Sequence, residues 1–161
     1  MGTDPVAMIR RDDVRDPRVL AFLRDHLADM HAVSPPESVH ALDVDRLRQP
    51  DISFFTQWLG EGEGALLVGT GAIKRLEPTH GELKSMRTRA GLRRQGFGRR
   101  MLQHLLAEAR NMGLTRVSLE TGTEPYFAPA SALYEAHGFV DCAPFADYGV
   151  DPHSRYMTRM L

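Results

Sequence analysis

The segment Arg93-Arg94-Gln95-Gly96-Phe97-Gly98-Arg99-Arg100 is the stretch of this sequence best suited to chemistry. Two glycines one residue apart let the backbone turn tightly and leave no side chain in the way. A helical pattern starts beside them. The first amides of a helix have no internal partner and lie at the positive end of its dipole, so the turn is built to hold an anion. It lacks the Lys-Ser/Thr ending of an ATP-type phosphate loop and the three-glycine dinucleotide fingerprint, so the phosphate belongs to another ligand. Arg87, Arg89, Arg93, Arg94, Arg99 and Arg100 crowd the same region. No stacking aromatics alternate with them and the formal charge of the chain is −1, which speaks against nucleic acid as a partner.

The surrounding pattern predicts the elements that hold this turn. Val6 to Arg10 reads as a strand. Asp16-Pro17 opens a helix in which Val19, Leu20, Leu23, Leu27 and Met30 recur at helical spacing, until Ser34-Pro35-Pro36 stops it. A short helix is expected over Asp43 to Arg48. Three strands follow, Ile52 to Leu59, Ala65 to Leu76 and Gly81 to Thr88, separated by turn compositions short enough to require an antiparallel meander. Met101, Leu102, Leu105, Leu106 and Ala109 form one face of a helix from Gly98 to Met112, closed by Gly113. Arg116 to Thr121 is then a buried strand parallel to the one before the helix. A helix over Ala130 to His137 and strands at Phe139 to Cys142 and Arg155 to Met160 complete the chain. The expected order is β-α-α-β-β-β-α-β-α-β-β, one α/β domain over residues 1–161.

With these elements in order, the chain resembles the GNAT (Gcn5-related N-acetyltransferase) family. Arg93-x-x-Gly96-x-Gly98 matches the Q/R-x-x-G-x-G/A segment that holds the pyrophosphate of coenzyme A. Glu82-Leu83-Lys84-Ser85-Met86-Arg87-Thr88 looks like the family's fourth strand, and Ala132-Leu133-Tyr134-Glu135-Ala136-His137-Gly138-Phe139 like its A-x-Y-x-x-x-G-F segment. The resemblance runs from about residue 52 onward, and the two N-terminal helices also have family counterparts.

The resemblance implies a mixed sheet with splayed fourth and fifth strands, and acetyl-CoA as co-substrate in the gap. The backbone of Met86, Arg87 and Thr88 would bond the pantetheine arm, one amide stabilising the oxyanion. The amides of Arg94, Gln95, Gly96, Phe97, Gly98 and Arg99 would wrap the pyrophosphate. Tyr134 matches the tyrosine that protonates the leaving thiolate; a phenol of pKa about 10 suits a thiol of about 8.5. Glu82, eleven residues before Arg93, stands where Gcn5-like members carry a base glutamate; Glu120 on the fifth strand is the alternative. Lys84, two residues from Glu82 on one strand face, is placed to pair with it. The Asn that members often carry seven residues before the tyrosine is here Phe127, and Ser131 is a substitute for that contact.

Three loops border the acceptor side: His31 through Glu37 and Ser38 to His40, Thr121 to Phe127 with Tyr126, and Phe145 to Tyr148. Their mix of carboxylates, hydroxyls and aromatics suits a small polar amine or amino acid. A protein α-amine or lysine is the second reading, and a non-catalytic acyl-CoA-binding module the third. A homodimer is compatible with the sequence. Cys142 is alone and no metal-ligand spacing is present. No basic, apolar leader starts the chain, and no apolar run approaches the roughly 20 residues that cross a bilayer, so no membrane partner and a cytoplasmic setting are expected.

Overall fold

The computed structural model describes residues 7–35 and 44–161. Its elements are β1 (Met8–Arg11), α1 (Pro17–Val33), α2 (Val44–Leu47), β2 (Ile52–Leu59), β3 (Leu66–Glu77), β4 (His80–Thr88), α3 (Phe97–Asn111), β5 (Arg116–Gly122), α4 (Ala128–Ala136), β6 (Val140–Asp141) and β7 (Ser154–Met160). The order is the expected one. α4 starts two residues ahead of the expected Ala130, because a 3-10 turn over Pro125–Phe127 runs straight into it.

The strands lie in the order β1-β2-β3-β4-β5-β7-β6. β1 to β4 are an antiparallel meander; β5 joins β4 in parallel after the α3 crossover. Successive strand residues face opposite sides, and both sides are covered. Phe54, Trp58, Leu67 and Ala72 pack against Val19 and Phe22 of α1. Phe55, Ile73, Leu83, Leu119 and Met157 pack against Met101, Leu102, Leu105 and Leu106 of α3. Burying each of these larger side chains stabilises the fold by roughly 1.5–3 kcal/mol before entropy is counted.

α1 begins as its sequence dictates: the Asp16 carboxylate accepts from the Arg18 amide at 2.9 Å, and Pro17 needs no donor partner. Its inward face departs from the leucine spacing. Val19 and Phe22 are buried, whereas Leu27 is 39% exposed. The helix leaves the core at that point and passes over an opening in the sheet, so the next inward residues are His26 and Met30.

That opening comes from the β4–β5 ladder. The two strands pair from His80–Arg116 to Leu83–Leu119 and then part. Beyond Leu83, β4 has a bulge: Ser85 takes a positive φ of 54° and its carbonyl accepts from the Thr70 hydroxyl at 2.7 Å. The backbone of Lys84 to Thr88 keeps β3 as a neighbour and has no ladder partner on β5.

Candidate active site

The gap becomes a cleft that passes through the sheet. On the α4 side its walls are apolar: Leu83, Met86, Ala130 and Tyr134, which pack on the α3 core, together with Phe127. On the α1 side the walls are polar, with His26, Glu82, Lys84, Glu120, Tyr148 and Ser154. One conduit therefore has a dry half and a polar half.

Glu82 is 3% exposed and holds two donors on one oxygen. Lys84 Nζ donates to its Oε2 at 3.0 Å, the pair expected from the strand spacing, and the Tyr148 hydroxyl donates to the same atom at 2.6 Å. Lys84 Nζ also donates to the Tyr148 oxygen at 2.8 Å, which closes a triangle. Burial and the Glu82 charge push the Tyr148 hydroxyl far above its ordinary range, so it remains a donor at every working pH. Glu120 lies across the gap, accepting from the Ser154 hydroxyl at 2.9 Å.

Tyr134 is buried, its ring edge-on to Phe139 at 5.8 Å and its hydroxyl 3.7 Å from the Met86 sulfur. Burial pushes this phenol up to about 12. Its protonated hydroxyl faces the dry half, beside the strand segment that has lost its ladder.

The glycine turn has the geometry its composition implies. Gly96 is the N-cap of α3 with φ 86°, a region costly for residues with a Cβ, and no side chain caps the helix. The amides of the first turn are thus available to a ligand. A Cβ on Gly98 would approach Thr88 Oγ1 to 3.3 Å, so the start of the helix lies close to the end of β4. Arg93, Arg94, Gln95 and Arg99 are exposed around the turn. An unpartnered helix start next to an open strand edge fits a ligand with a pyrophosphate at one end and an amide-bearing arm at the other.

The remaining candidates are dispersed. Tyr126 joins the glycine turn, not the polar half: Arg93 Nη2 donates to its hydroxyl at 3.3 Å and stacks over its ring at 5.4 Å. Phe127 lies so close over Gly122 that a Cβ there would meet its ring at 2.1 Å. Ser131 is half-buried on α4, and His31 is exposed at the end of α1. Neither lines the cleft. The side chain of Arg87 turns to α1, pairing with Asp29 at 2.7 Å, so only its backbone borders the gap. Glu37 and Ser38 lie outside the described residues. His26, Ser34, His153 and Ser154 line the cleft without having been singled out; a helical wheel drawn through Val19 and Phe22 points to His26. Among the described residues no group of three or more His, Cys, Asp or Glu is arranged to hold a metal.

Comparison with known proteins agrees with this geometry. Residues 20–139 match the Acetyltransferase (GNAT) family. The chain is 48% identical over 153 residues to the uncharacterized N-acetyltransferase YsnE of Bacillus subtilis (strain 168), covering 95% of this chain and 99% of that protein. It is 37% identical over 159 residues to an IAA acetyltransferase of Azospirillum brasilense, covering 97% and 98%. Among solved structures, a Bacillus subtilis acetyltransferase in complex with CoA superposes with a TM-score of 0.65 at 17% identity, over 96% of this chain and 99% of that one. An acetyltransferase from Streptococcus agalactiae gives 0.73 at 21% identity, over 96% and 98%. The chain belongs to the GNAT family of acetyltransferases. It is an acetyltransferase, and acetyl-CoA is the co-substrate of that family.

Proposed function

We propose that this chain transfers an acetyl group from acetyl-CoA to a primary amine of a small polar molecule, by direct attack of the amine on the thioester. The observation that carries this reading is the polar lining that several elements bring to one half of the cleft. α1 covers it with His26, Met30 and Ser34, and Tyr148 closes it from the β6–β7 segment. A protein acceptor needs an open groove, and a non-catalytic module needs neither the Glu82 and Glu120 carboxylates nor a buried phenol lining the same cleft.

In this reading the amides around Gly96 and Gly98 hold the pyrophosphate, with Arg93 and Tyr126 beside them. The backbone of Met86 to Thr88 takes the pantetheine arm and supplies the oxyanion donor. Phe127 gives that arm an apolar wall where relatives offer an Asn; Ser131 can serve only its outer part. Glu82 takes the amine proton, directly or through water, with Glu120 as the alternative, and Tyr134 protonates the thiolate. Tyr148 orients Glu82 and touches the acceptor, while His31, exposed at the end of α1, belongs to the acceptor's approach. No helix among the described residues is long and apolar enough to cross a membrane; a single-domain enzyme of the cytoplasm, as monomer or homodimer, fits this reading.

The test is release of free coenzyme thiol from acetyl-CoA with a panel of amines, amino acids and peptides. Turnover with small amines and none with peptides is the expected result. Preference for peptides moves the assignment to a protein acceptor, and binding without any turnover moves it to a non-catalytic module.

A further inference from the structure

Lys84 is the buried ion-pair partner of Glu82. It is one of two lysines in the sequence, the other being Lys74. Its side chain is 8% exposed, yet it lines the cleft. Its Nζ stands 3.0 Å from Glu82 Oε2 and 2.8 Å from the Tyr148 oxygen, the two groups assigned above to the acceptor. Lys84 lies two residues before Met86, on the part of β4 that has left β5. An alkyl ammonium held against a candidate base, inside an acetyl-transfer cleft, is already in the position of a substrate amine.

Resting on the acetyltransferase reading above, we propose that Lys84 is a self-acetylation site, taking the acetyl group when no acceptor occupies the polar half. Glu82 removes one proton from the Lys84 ammonium and later gives it to solvent. The freed Nζ lone pair attacks the thioester carbonyl carbon; the N–C bond forms and the C–S bond breaks. The second proton lost from nitrogen ends on the departing sulfur, relayed by the Tyr134 hydroxyl. The products are an Nε-acetyl-lysine, coenzyme A thiol and one proton in solution.

Two physical consequences follow. The ammonium disappears, so Glu82 loses its ion pair and keeps only the Tyr148 bond. The added acetyl group fills space that an acceptor needs, so self-acetylation and turnover compete for one chamber.

The experiment is intact-mass and peptide analysis of the full chain incubated with acetyl-CoA alone. One acetyl group per chain is expected, on the peptide carrying Lys84 and not on that carrying Lys74. Glu82→Gln should slow its appearance by about 10²-fold, the lower end of acid-base effects, and Lys84→Arg should abolish it. Mapping the wild-type chain itself keeps the test valid if either variant folds poorly. The proposal is overturned if calorimetry shows acetyl-CoA bound and Lys84 stays unmodified. It is overturned equally if heat-unfolded chain is labelled at Lys84 as fast as native chain, since that is solution chemistry. If acetyl-CoA does not bind at all, the acetyltransferase reading falls first. Turnover of panel amines, together with a Lys84 that stays bare in the separate incubation with acetyl-CoA alone, removes this inference alone.

Discussion

The Tyr148 hydroxyl donates to Glu82 Oε2 across 2.6 Å, joining the β6–β7 segment to the middle of β4. Between them these two residues border the polar half of the cleft and fix the carboxylate's rotamer. Among the described residues both bonds to Glu82 fall on Oε2, so in the function proposed above Oε1 is the atom that meets the acceptor.

Glu82→Gln should therefore remove the enzyme's own limb from the pH profile of kcat/KM. Activity should recover toward high pH, where an alkyl amine of pKa about 10.4 begins to supply its own free base. Glu120→Gln should keep the limb. Tyr148→Phe, which removes one of the two bonds holding Oε2, should lower kcat/KM by about two- to tenfold, the scale of one hydrogen bond worth roughly 0.5–1.5 kcal/mol. A lost limb in Glu120→Gln in place of Glu82→Gln would reverse the assignment.

Gly96→Asp puts a Cβ at φ 86° and a negative charge over the open helix start. Gly98→Val pushes a branched side chain at Thr88. Either change should eliminate acetyl-CoA binding by calorimetry while the far-ultraviolet circular dichroism stays that of the wild type. Undiminished affinity would move the pyrophosphate elsewhere.

Tyr134 is held protonated up to about 12 by burial, above the usual tyrosine value. Its loss as an acid should thus not appear as a falling limb of kcat anywhere below pH 11. Tyr134→Phe should reduce kcat by roughly 10²–10⁴-fold with little change in cofactor affinity. Equal kcat in the two proteins would leave Tyr134 as a packing residue and water as the acid.

His26 is pushed down to about 4, first by burial and then by the nearby Arg87 charge. Its folded-state value lies below the unfolded value of about 6.5, so the unfolded chain binds the extra proton on acidification. Stability is complete above pH 6.5 and falls as pH drops from there to about 4, by on the order of 3 kcal/mol from this group. His26→Gln should flatten that part of the slope in urea midpoints measured between pH 7.5 and 4.5. Parallel slopes in the two proteins would show that the ring already reaches solvent.

Much of the fold was legible because it depends on local periodicity. Leu102 and Leu105 on α3, and the alternation of Phe54 and Phe55 on β2, declare their faces within a few residues. The glycine turn and the Lys84–Glu82 pair were legible for the same reason, since each is set by neighbours along one backbone. The sequence marks Tyr148 only as an acceptor contact, because its bond to Glu82 depends on how a twelve-residue connection between β6 and β7 folds back. Tyr126 went to Arg93 because the 3-10 turn over Pro125–Phe127 rotates it toward the glycine turn. His31 follows from its place at the loop after α1, whereas His26 is hidden from the sequence because leucine spacing marks the inward face of a helix only where it covers apolar core. Over a polar cleft an inward residue can be polar, as His26 is, and a search for apolar spacing finds only Met30.

The seam at Leu83 and Leu119 has a mechanical meaning. β1 to β4 form one plate and β5, β7 and β6 another, and the direct ladder between the plates ends after four register pairs. A ligand lying in the gap touches both and acts as a tie across an unfinished joint. Binding only the folded state, it would add roughly 2.7 kcal/mol at a hundredfold excess over its Kd, and much of that would bear on opening of the seam. Amide hydrogens of β5 and β7 would exchange more slowly as the co-substrate rises, so the stiffness of the sheet would track the supply of acetyl groups.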